Sequence, residues 1–348
     1  MRALVFRGPM NLAWEEVATP QLTAPRDALV RPIAVARCDL DPAIAVGLYP
    51  MPAPFVVGHE MVGEVVALGD EVHHVSVGDR VIVPFQLSCN RCAPCERGHT
   101  NACADVAPGT AFGLGPHGGV DLAGALAELV RVPWADVMLI PLPDGLDPVA
   151  AAGIPDNVSD GYRCVAGPLA ERPGAPVLVV GGLAPSVGLY ALMSAVALGS
   201  ERVVYVDDDA RRLQIADRLG AEVIDATGTW DQLAKDLARE FPVTVDANVL
   251  DHGRELAIRA TAPCGTCTSV SGGAGARASL PLQSMYLSGI RYEIGRVHAH
   301  STAGPVLDLV AAGRLDPLQI VEKVVPFSDA IEAMTDPAVK VVFEQETA

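Results

Sequence analysis

The chain has 348 residues, of which half are hydrophobic and 19% are charged, and its formal net charge at pH 7 is −17. This length corresponds to about two domains, and the apolar content is too high for a disordered chain. The negative charge argues against nucleic acid or an anionic membrane as a partner. Residues 1–10 are too short an apolar run for a signal peptide, and glycine, proline and serine interrupt the apolar stretch at 177–198. We therefore predict a cytoplasmic protein without a membrane span.

The predicted elements divide the chain into two parts. In the first 145 residues, short apolar runs at 28–33, 62–66 and 79–83 are separated by Gly, Pro and Asp, which predicts a β-rich domain. From about residue 175, predicted strands and helices alternate. The strands are Val177–Val180, Val203–Val206, Val243–Asp246 and Cys267–Val270, and the helices between them include Val187–Leu198 and Arg211–Leu219. This order predicts an α/β domain with a doubly wound parallel sheet. The last fifty residues return to shorter elements, with a helix around 305–312.

Four of the eight cysteines fall within residues 89–103, with the spacing C-x2-C-x2-C-x7-C: Cys89, Cys92, Cys95 and Cys103. Two-residue gaps allow a tight turn to present neighbouring sulfurs to one ion, and four thiolates complete a tetrahedral zinc site. Because no coordination position stays open, we predict a structural zinc site. An iron–sulfur cluster uses similar gaps and is the alternative.

A second group of metal-type residues is dispersed in the same β-rich part. Gly58-His59-Glu60 follows an apolar run, and Cys38 lies 21 residues before His59. A lone histidine is more often a packed residue than a ligand. Here Cys38, the Gly-His-Glu motif, the turn Gly78-Asp79-Arg80-Val81 and the cysteine cluster stand in one order and spacing. In these motifs, and nearly from end to end, the chain resembles the zinc-containing medium-chain alcohol dehydrogenases.

The resemblance implies a GroES-like β-rich catalytic domain (1–145, completed by 299–348) and a Rossmann dinucleotide-binding domain (146–298). It also implies a homodimer or homotetramer that transfers a hydride between NAD(H) and an alcohol, aldehyde or ketone. The family's catalytic zinc takes a Cys, the His of Gly-His-Glu and a third ligand just before the cofactor domain. That ligand is a Cys or, in the formaldehyde-dehydrogenase-like branch, an Asp ahead of a Gly-Tyr pair, which here is Asp156. The resemblance therefore implies a catalytic zinc at Cys38, His59 and Asp156, with Glu60 as an exchangeable ligand and Asp41 orienting the His59 ring.

The turn after the strand at 177–180 is an imperfect dinucleotide-binding motif. Its glycines are Gly181, Gly182 and Gly188, and the turn contains one residue more than G-x-G-x-x-G, so that Leu183 or Ala184 stands where a glycine is expected. We expect the backbone N–H groups at the helix N-terminus, around Ser186 and Val187, to face the pyrophosphate.

The residue that follows the next strand favours NAD as the cofactor. Asp207 lies 19 residues after Gly188, where a carboxylate accepts the adenosine ribose hydroxyls and repels a 2′-phosphate. Arg211 and Arg212 follow and keep NADP open as the alternative. By resemblance, Lys340 falls where the family has a basic residue near the cofactor phosphates.

Two residues depart from the family pattern. Leu40 replaces the Ser or Thr whose hydroxyl starts the proton relay, so Ser159, Asp160 or a water must substitute, or the chemistry differs. Asp39 is a carboxylate where Gly, Arg or His is usual, and it does not favour a nearby pyrophosphate. These departures leave two alternatives open: a zinc enzyme without net alcohol oxidation, either a dismutase with tightly held NAD or a non-redox lyase, and a non-catalytic relative.

Three further patterns receive no catalytic role. Cys264-Gly-Thr-Cys267 has redox-motif spacing, which we interpret as coincidence. His298 and His300 are predicted to lie in a surface loop, and the role of His117 stays open.

Overall fold

The computed structural model describes residues 1–115, 124–273, 275 and 277–346, so His117 lies outside the described residues. The chain forms two compact units. Unit 1 comprises residues 1–159, 298–312 and 316–348, and unit 2 comprises residues 160–297 and 313–315. The bounds given above for the GroES-like and Rossmann domains stay a prediction.

Unit 1 begins with short strands and short helices. The strands are β1 (Arg2–Gly8), β2 (Asn11–Glu16), β3 (Ala28–Ala36), β4 (Phe55–Val56), β5 (Glu60–Leu68), β6 (Arg80–Val83), β7 (Val130–Val132) and β8 (Ile140–Pro141). The helices are α1 (Asp41–Val46), α2 (Ala93–Glu96), α3 (Ala135–Met138) and α4 (Pro148–Ala151). A 3₁₀ turn at Thr100–Ala102 and a π-helical turn at Ile154–Val158 complete this part.

Unit 2 alternates strands and helices. Its helices are α5 (Ser159–Glu171), α6 (Pro185–Ala197), α7 (Ala210–Arg218), α8 (Trp230–Asp236), α9 (Asp251–Ala260) and α10 (Leu282–Ser288). Its strands are β9 (Val177–Val180), β10 (Val203–Asp207), β11 (Glu222–Asp225), β12 (Phe241–Asp246), β13 (Thr261–Ser269) and β14 (Arg291–Ile294). They form one parallel sheet in the order β11-β10-β9-β12-β13-β14. The strand order reverses at β9, as in a doubly wound sheet, so the predicted fold class is confirmed.

The chain then returns to unit 1. The returning elements are α11 (Ala299–Ala311), β15 (Val321–Pro326), α12 (Ala330–Ala333) and β16 (Lys340–Glu344), with 3₁₀ turns at Pro317–Gln319 and Phe327–Asp329. Strand β16 joins β3 in a seven-stranded sheet in the order β15-β16-β3-β5-β6-β8, with β7 paired to β3. A separate three-stranded sheet has the order β2-β1-β4.

The buried side chains of unit 1 come from both parts of the chain, since Val341 and Phe343 of β16 share one apolar core with Val30 and Val35 of β3. The core therefore fixes the position of β16 beside β3. Among the described residues, every helix is too short or too polar to cross a membrane.

Candidate functional site

The dispersed metal-type residues come together in unit 1. Cys38, His59, Glu60 and Asp156, called the mixed ligand group below, each offer a donor atom, and these atoms lie within 4.8 Å of one another. Strand pairing explains part of this proximity, because Ala36 at the end of β3 pairs with Glu60 at the start of β5. Gly58 adopts φ +92°, which favours glycine, and a Cβ there would lie 2.9 Å from the Leu126 backbone nitrogen.

Three of the four residues of the mixed ligand group are buried, and the group carries an excess of acidic donors. His59 and Glu60 are fully buried, and Asp156 is 7% exposed. Burial raises the pKa of the Cys38 thiol well above its usual range, and the nearby Asp156 and Asp41 carboxylates raise it further. Burial alone would lower the pKa of His59, but Asp41, Asp156 and Glu60 raise it to about 9. The group therefore favours a positive charge at its centre.

This donor set fits zinc. Sulfur, imidazole nitrogen and carboxylate oxygen are the ligands zinc takes in catalytic sites. Although His59 Nε2 lies 3.3 Å from Asp156 Oδ2, both ring nitrogens of His59 are buried without a hydrogen-bond partner in the described part of the chain. A buried polar atom without a hydrogen-bond partner costs free energy. A metal ion would bind the His59 ring nitrogen that faces it and so remove that cost.

Asp41 lies beside the mixed ligand group, as the resemblance implies. Its Oδ2 accepts the Cys38 N–H at 2.9 Å, and its Oδ1 lies 3.8 Å from His59 Nδ1. Asp41 therefore holds the loop that carries Cys38 and lies near the ring nitrogen on the far side from Asp156. The ring of Phe85, which follows β6, packs against His59 with centroids 5.5 Å apart.

Lys340 requires a correction. The resemblance implies a place near the cofactor phosphates, but the Lys340 ammonium is buried and donates to protein oxygens. The acceptors are both Glu60 oxygens at 2.9 and 2.8 Å, the Arg37 carbonyl at 2.8 Å and Asn157 Oδ1 at 2.7 Å. The position of β16 beside β3 determines this outcome, because it places the first residue of β16 at the end of the sheet that carries Glu60. Burial raises the pKa of Glu60 to about 8, although the Lys340 charge lowers it.

Asp156 and Asn157 both face this region because they lie in the π-helical turn. The Val158 N–H bonds to the Gly153 carbonyl five residues earlier at 3.0 Å, and the Ser159 hydroxyl bonds to the Ile154 carbonyl at 2.7 Å. The wider turn buries consecutive side chains, and such turns are common at functional sites. Sequence reasoning missed Asn157. The available signal in the sequence was the pair of consecutive polar residues Asp156 and Asn157 within a mostly apolar stretch.

The four cysteines at 89–103, called the four-cysteine group below, also converge. Each offers a sulfur within 4.8 Å of the others, and Cys92 Sγ lies 4.0 Å from Cys103 Sγ. Tetrahedral zinc with bonds of about 2.3 Å places sulfurs about 3.8 Å apart. Backbone N–H groups of Ala104 and Cys95 lower the pKa of Cys92 to about 6, which favours the thiolate a metal needs. All eight cysteines lie in the described part of the chain, and none of them forms a disulfide there.

Helix α11 contacts the loop of the four-cysteine group. The Ser301 hydroxyl donates to the Gly98 carbonyl at 2.8 Å, and the rings of His99 and His298 stack with centroids 5.3 Å apart. The predicted surface loop is wrong for His300, which lies in the first turn of α11 with Nε2 2.8 Å from the Val137 carbonyl. The apolar periodicity that revealed the helix starts only after this turn, so the sequence placed the helix start too late.

The glycine turn of unit 2 is closed by contacts within the protein. A Cβ on Gly181 would lie 2.2 Å from the Tyr205 hydroxyl, one on Gly182 would lie 2.6 Å from Asn248 Nδ2, and one on Gly188 would lie 3.1 Å from Ala247 Cβ. The additional length of the turn lets the Leu183 and Ala184 N–H groups donate to the Asn248 and Ala247 carbonyls. Ser186 and Val187 lie in the first turn of α6.

Asp207 ends β10, as predicted, and is fully buried. Arg212 donates to both of its oxygens, at 2.8 and 2.5 Å, and the Tyr205 hydroxyl donates at 3.0 Å. Burial opposes the charge of Arg212, but the hydrogen bonds and charge of Asp207 raise the pKa of the guanidinium. The carboxylate and the guanidinium thus form one neutral pair at the carboxyl end of the sheet.

Leu40 packs against the apolar core of unit 1, and the two side chains proposed to replace its missing hydroxyl are engaged elsewhere. The Ser159 hydroxyl closes the π-helical turn, and Asp160 in unit 2 pairs with Arg163.

Comparison with known proteins agrees with this geometry. Residues 24–144 match the alcohol dehydrogenase GroES-like domain family, and residues 186–312 match the zinc-binding dehydrogenase family. The alcohol dehydrogenase TADH from Thermus sp. ATN1 has a solved structure that is 32% identical, with a TM-score of 0.90, and the match covers 99% of this chain and 100% of that one. The chain belongs to the zinc-containing medium-chain dehydrogenases. This medium-chain dehydrogenase is accordingly a zinc-dependent oxidoreductase, which confirms the predicted family, fold class and enzyme class.

Two further relatives lie within the same family. Zinc-type alcohol dehydrogenase B from Aspergillus flavus is 29% identical over 344 residues, which cover 95% of this chain and 77% of the relative. A glutathione-independent formaldehyde dehydrogenase from Pseudomonas aeruginosa is 32% identical over 265 residues, which cover 71% of this chain and 65% of the relative.

Proposed function

We propose that this dehydrogenase interconverts a small alcohol and its aldehyde or ketone at a catalytic zinc held by Cys38, His59 and Asp156, with Glu60 as an exchangeable ligand. The observation that carries the proposal is the convergence of these four donors within 4.8 Å, three of them on buried residues, around an imidazole whose nitrogens have no hydrogen-bond partner among the described residues. A second zinc, at Cys89, Cys92, Cys95 and Cys103, is structural because four thiolates leave no open position.

The residues around the mixed ligand group have distinct tasks. Zinc held there supplies Lewis acidity toward a substrate hydroxyl or carbonyl oxygen. Asp41 anchors the Cys38 backbone and lies against His59, and Lys340 neutralises Glu60 and restricts its movement. Phe85 covers one side of His59 and contributes apolar surface that excludes water. Because Ser159 and Asp160 are engaged, a water makes the proton transfer that Leu40 cannot make.

The proposed redox partner is NAD(H), whose nicotinamide accepts or supplies the hydride. Asp207 supports NAD by its place at the end of β10, where a carboxylate accepts the adenosine ribose hydroxyls, although Arg212 compensates its charge. Gly181, Gly182, Gly188, Ser186 and Val187 are the proposed pyrophosphate segment. Arg212 lies against Asp207, so NADP with Arg211 and Arg212 is the alternative.

Replacing Cys38 by serine tests the catalytic zinc. The variant should fall from two zinc ions per chain to one and lose about 1000-fold or more of its turnover, since Lewis-acid stabilisation of several kcal/mol is removed. Cys164→Ser is the control, because Cys164 is a buried cysteine that lies outside both cysteine-containing groups. Full activity and two zinc ions in Cys38→Ser would refute the proposal.

Fluorescence titration with NADH and NADPH tests the cofactor. We expect tight binding of NADH and weak binding of NADPH. Asp207→Asn should reduce the difference between the two affinities. A preference for NADPH would indicate that Arg211 and Arg212, and not Asp207, determine which cofactor binds. Binding of neither cofactor would contradict the nicotinamide proposal, provided that the purified protein carries no bound cofactor.

The packing of Leu40 against the core of unit 1 favours a second candidate function, a zinc reaction without net alcohol oxidation. Without a hydroxyl relay, the same zinc site would suit a dismutase that retains NAD or a non-redox lyase. Nicotinamide absorbance in the purified protein, together with alcohol-dependent NADH release, separates these reactions from net oxidation.

We also propose a homodimer or homotetramer in the cytoplasm. Leu282, Tyr286 and Leu287 of α10 are exposed apolar residues, and β14 is the edge strand of the sheet in unit 2. Leu287→Glu should shift the mass measured by light scattering toward the monomer, and an unchanged mass would exclude α10 from the interface. The eight unpaired cysteines agree with a reducing compartment.

A further inference from the structure

Asn157 contacts two members of the mixed ligand group at once. Its Nδ2 lies 3.4 Å from Cys38 Sγ and 3.2 Å from Asp156 Oδ2, and it donates to both atoms. Its Oδ1 accepts from Lys340 Nζ at 2.7 Å, and the same ammonium donates to both oxygens of Glu60. Asn157 is only 2% exposed.

The surroundings determine the orientation of the amide. Lys340 offers only donors and therefore requires the carbonyl oxygen of Asn157. The two hydrogens on Nδ2 then face a sulfur and a carboxylate, both of which accept. A rotation of the amide by 180° would set NH₂ against an ammonium and oxygen against two acidic groups. Lys340 itself is held by Glu60 and by the Arg37 carbonyl, so the amide has one favourable orientation.

We propose that Asn157 is a positioning residue for the catalytic zinc. Its amide donates to the Cys38 thiolate and to Asp156, and the bond to sulfur reduces the charge that the thiolate transfers to the metal. The Asn157 carbonyl oxygen links both ligands to Glu60 through Lys340. This inference rests on the proposed ligand set.

The expected consequence follows from hydrogen bonding to sulfur. An N–H donor stabilises the lone pairs of a thiolate, so the thiolate transfers less charge to the metal and the metal stays a stronger Lewis acid. Partners in the shell around metal ligands also fix ligand orientation, and their loss lowers metal affinity or activity by about 10- to 100-fold. Removal of the Asn157 donor should therefore weaken zinc binding at the mixed ligand group and lower kcat more than it raises KM.

Two variants separate the donor from the other tasks of the side chain. Asn157→Leu removes the donor and the acceptor without adding charge. Asn157→Asp keeps an oxygen for Lys340 and removes the donor. Both are loaded with cobalt(II), and the sulfur-to-metal charge-transfer bands are recorded, with the bands of the four-cysteine group as an internal reference. Zinc affinity is measured by competition with a chelator.

We expect the Cys38 charge-transfer band to move to longer wavelength in both variants, with zinc affinity at this site about 10- to 100-fold lower. Thr244→Val removes a buried hydroxyl contact in unit 2 and should leave the band unchanged. A band that moves only in Asn157→Leu would show that the amide merely anchors Lys340, and one that moves only in Asn157→Asp would show an effect of charge. Either result, or no movement in both, overturns the inference.

The failure of this inference is distinguishable from failure of the ligand set. If Cys38→Ser leaves the cobalt spectrum unchanged, the ligand set itself is wrong. If Cys38→Ser removes the band while both Asn157 variants keep it in place, only the role of Asn157 is refuted.

Discussion

The two metal-type groups of unit 1 are assembled in opposite ways. The four-cysteine group lies within one segment, residues 89–103, and uses one kind of donor. The mixed ligand group takes its residues from the segment after β3, from the start of β5 and from a turn 96 residues beyond Glu60. The first group therefore depends on a local loop, and the second depends on the fold of the whole unit.

The difference extends to how negative charge is compensated. In the four-cysteine group, backbone N–H groups lower the pKa of the half-buried Cys92 to about 6. In the mixed ligand group, a fully buried lysine pairs with Glu60, while burial and carboxylates raise the pKa of Cys38. A local loop can supply its own amide groups, whereas a buried site assembled from distant strands needs a cation from another strand. We expect the two groups to respond differently to the same kinds of substitution.

The largest effect on stability is expected from Lys340→Met. The change leaves Glu60 buried without its cation, and breaking a buried ion pair costs about 3–5 kcal/mol in unfolding free energy. Protonation of Glu60 relieves part of that cost. Lys323→Met is the control, because Lys323 pairs with Asp336 at the surface, where an ion pair contributes about 1 kcal/mol or less. Denaturant unfolding of both variants measures the difference, and equal losses would contradict it.

An intermediate effect is expected from Cys92→Ser. Zinc should be lost from the four-cysteine group alone, with roughly 2 kcal/mol or more of stability, because the loop loses its metal. Zinc analysis should give one ion per chain, and proteolysis should begin within 89–103. The exposed Cys264 provides the control variant, Cys264→Ser. Loss of both zinc ions in Cys92→Ser would show that the two groups are not independent.

The smallest effect concerns His300, at the start of the helix that contacts the four-cysteine loop. Burial lowers the pKa of His300, although its bond to Val137 raises it. The folded protein therefore takes up this proton less readily than the unfolded chain. Its contribution to stability is present above about pH 6.5 and is lost as pH falls from there through the folded pKa.

His300→Asn should remove this part of the pH dependence. Unfolding free energies of the wild-type protein and the variant at pH 7.5 and 5.5 measure it, with zinc content followed at both pH values so that metal loss is counted separately. An equal dependence in both proteins would refute the assignment to His300.

The sequence predicted what depends on short-range pattern. Strand β9 was predicted at its observed bounds, and the spacing of the four cysteines was enough to predict their convergence. Asp156 was reached only through resemblance, since nothing near it in the chain indicates a ligand. Lys340 was misplaced because its neighbour depends on the pairing of β16 with β3, which joins residues about 300 positions apart. Asn157 was missed because a π-helical turn leaves no periodicity to recognise.

That turn has a consequence for how such a site can diverge. A π-helical turn is an α-helical turn with one residue inserted, so deletion of one residue at Val158 would restore ordinary helical spacing. Each residue of an α-helix turns about 100° around the axis, and the deletion would rotate the side chains on one side of it relative to those on the other. Asp156 and Asn157 both precede Val158, so a single-codon deletion there would move the proposed ligand and its amide neighbour together. One genetic step in this turn would therefore change the carboxylate ligand and the amide contact as a unit.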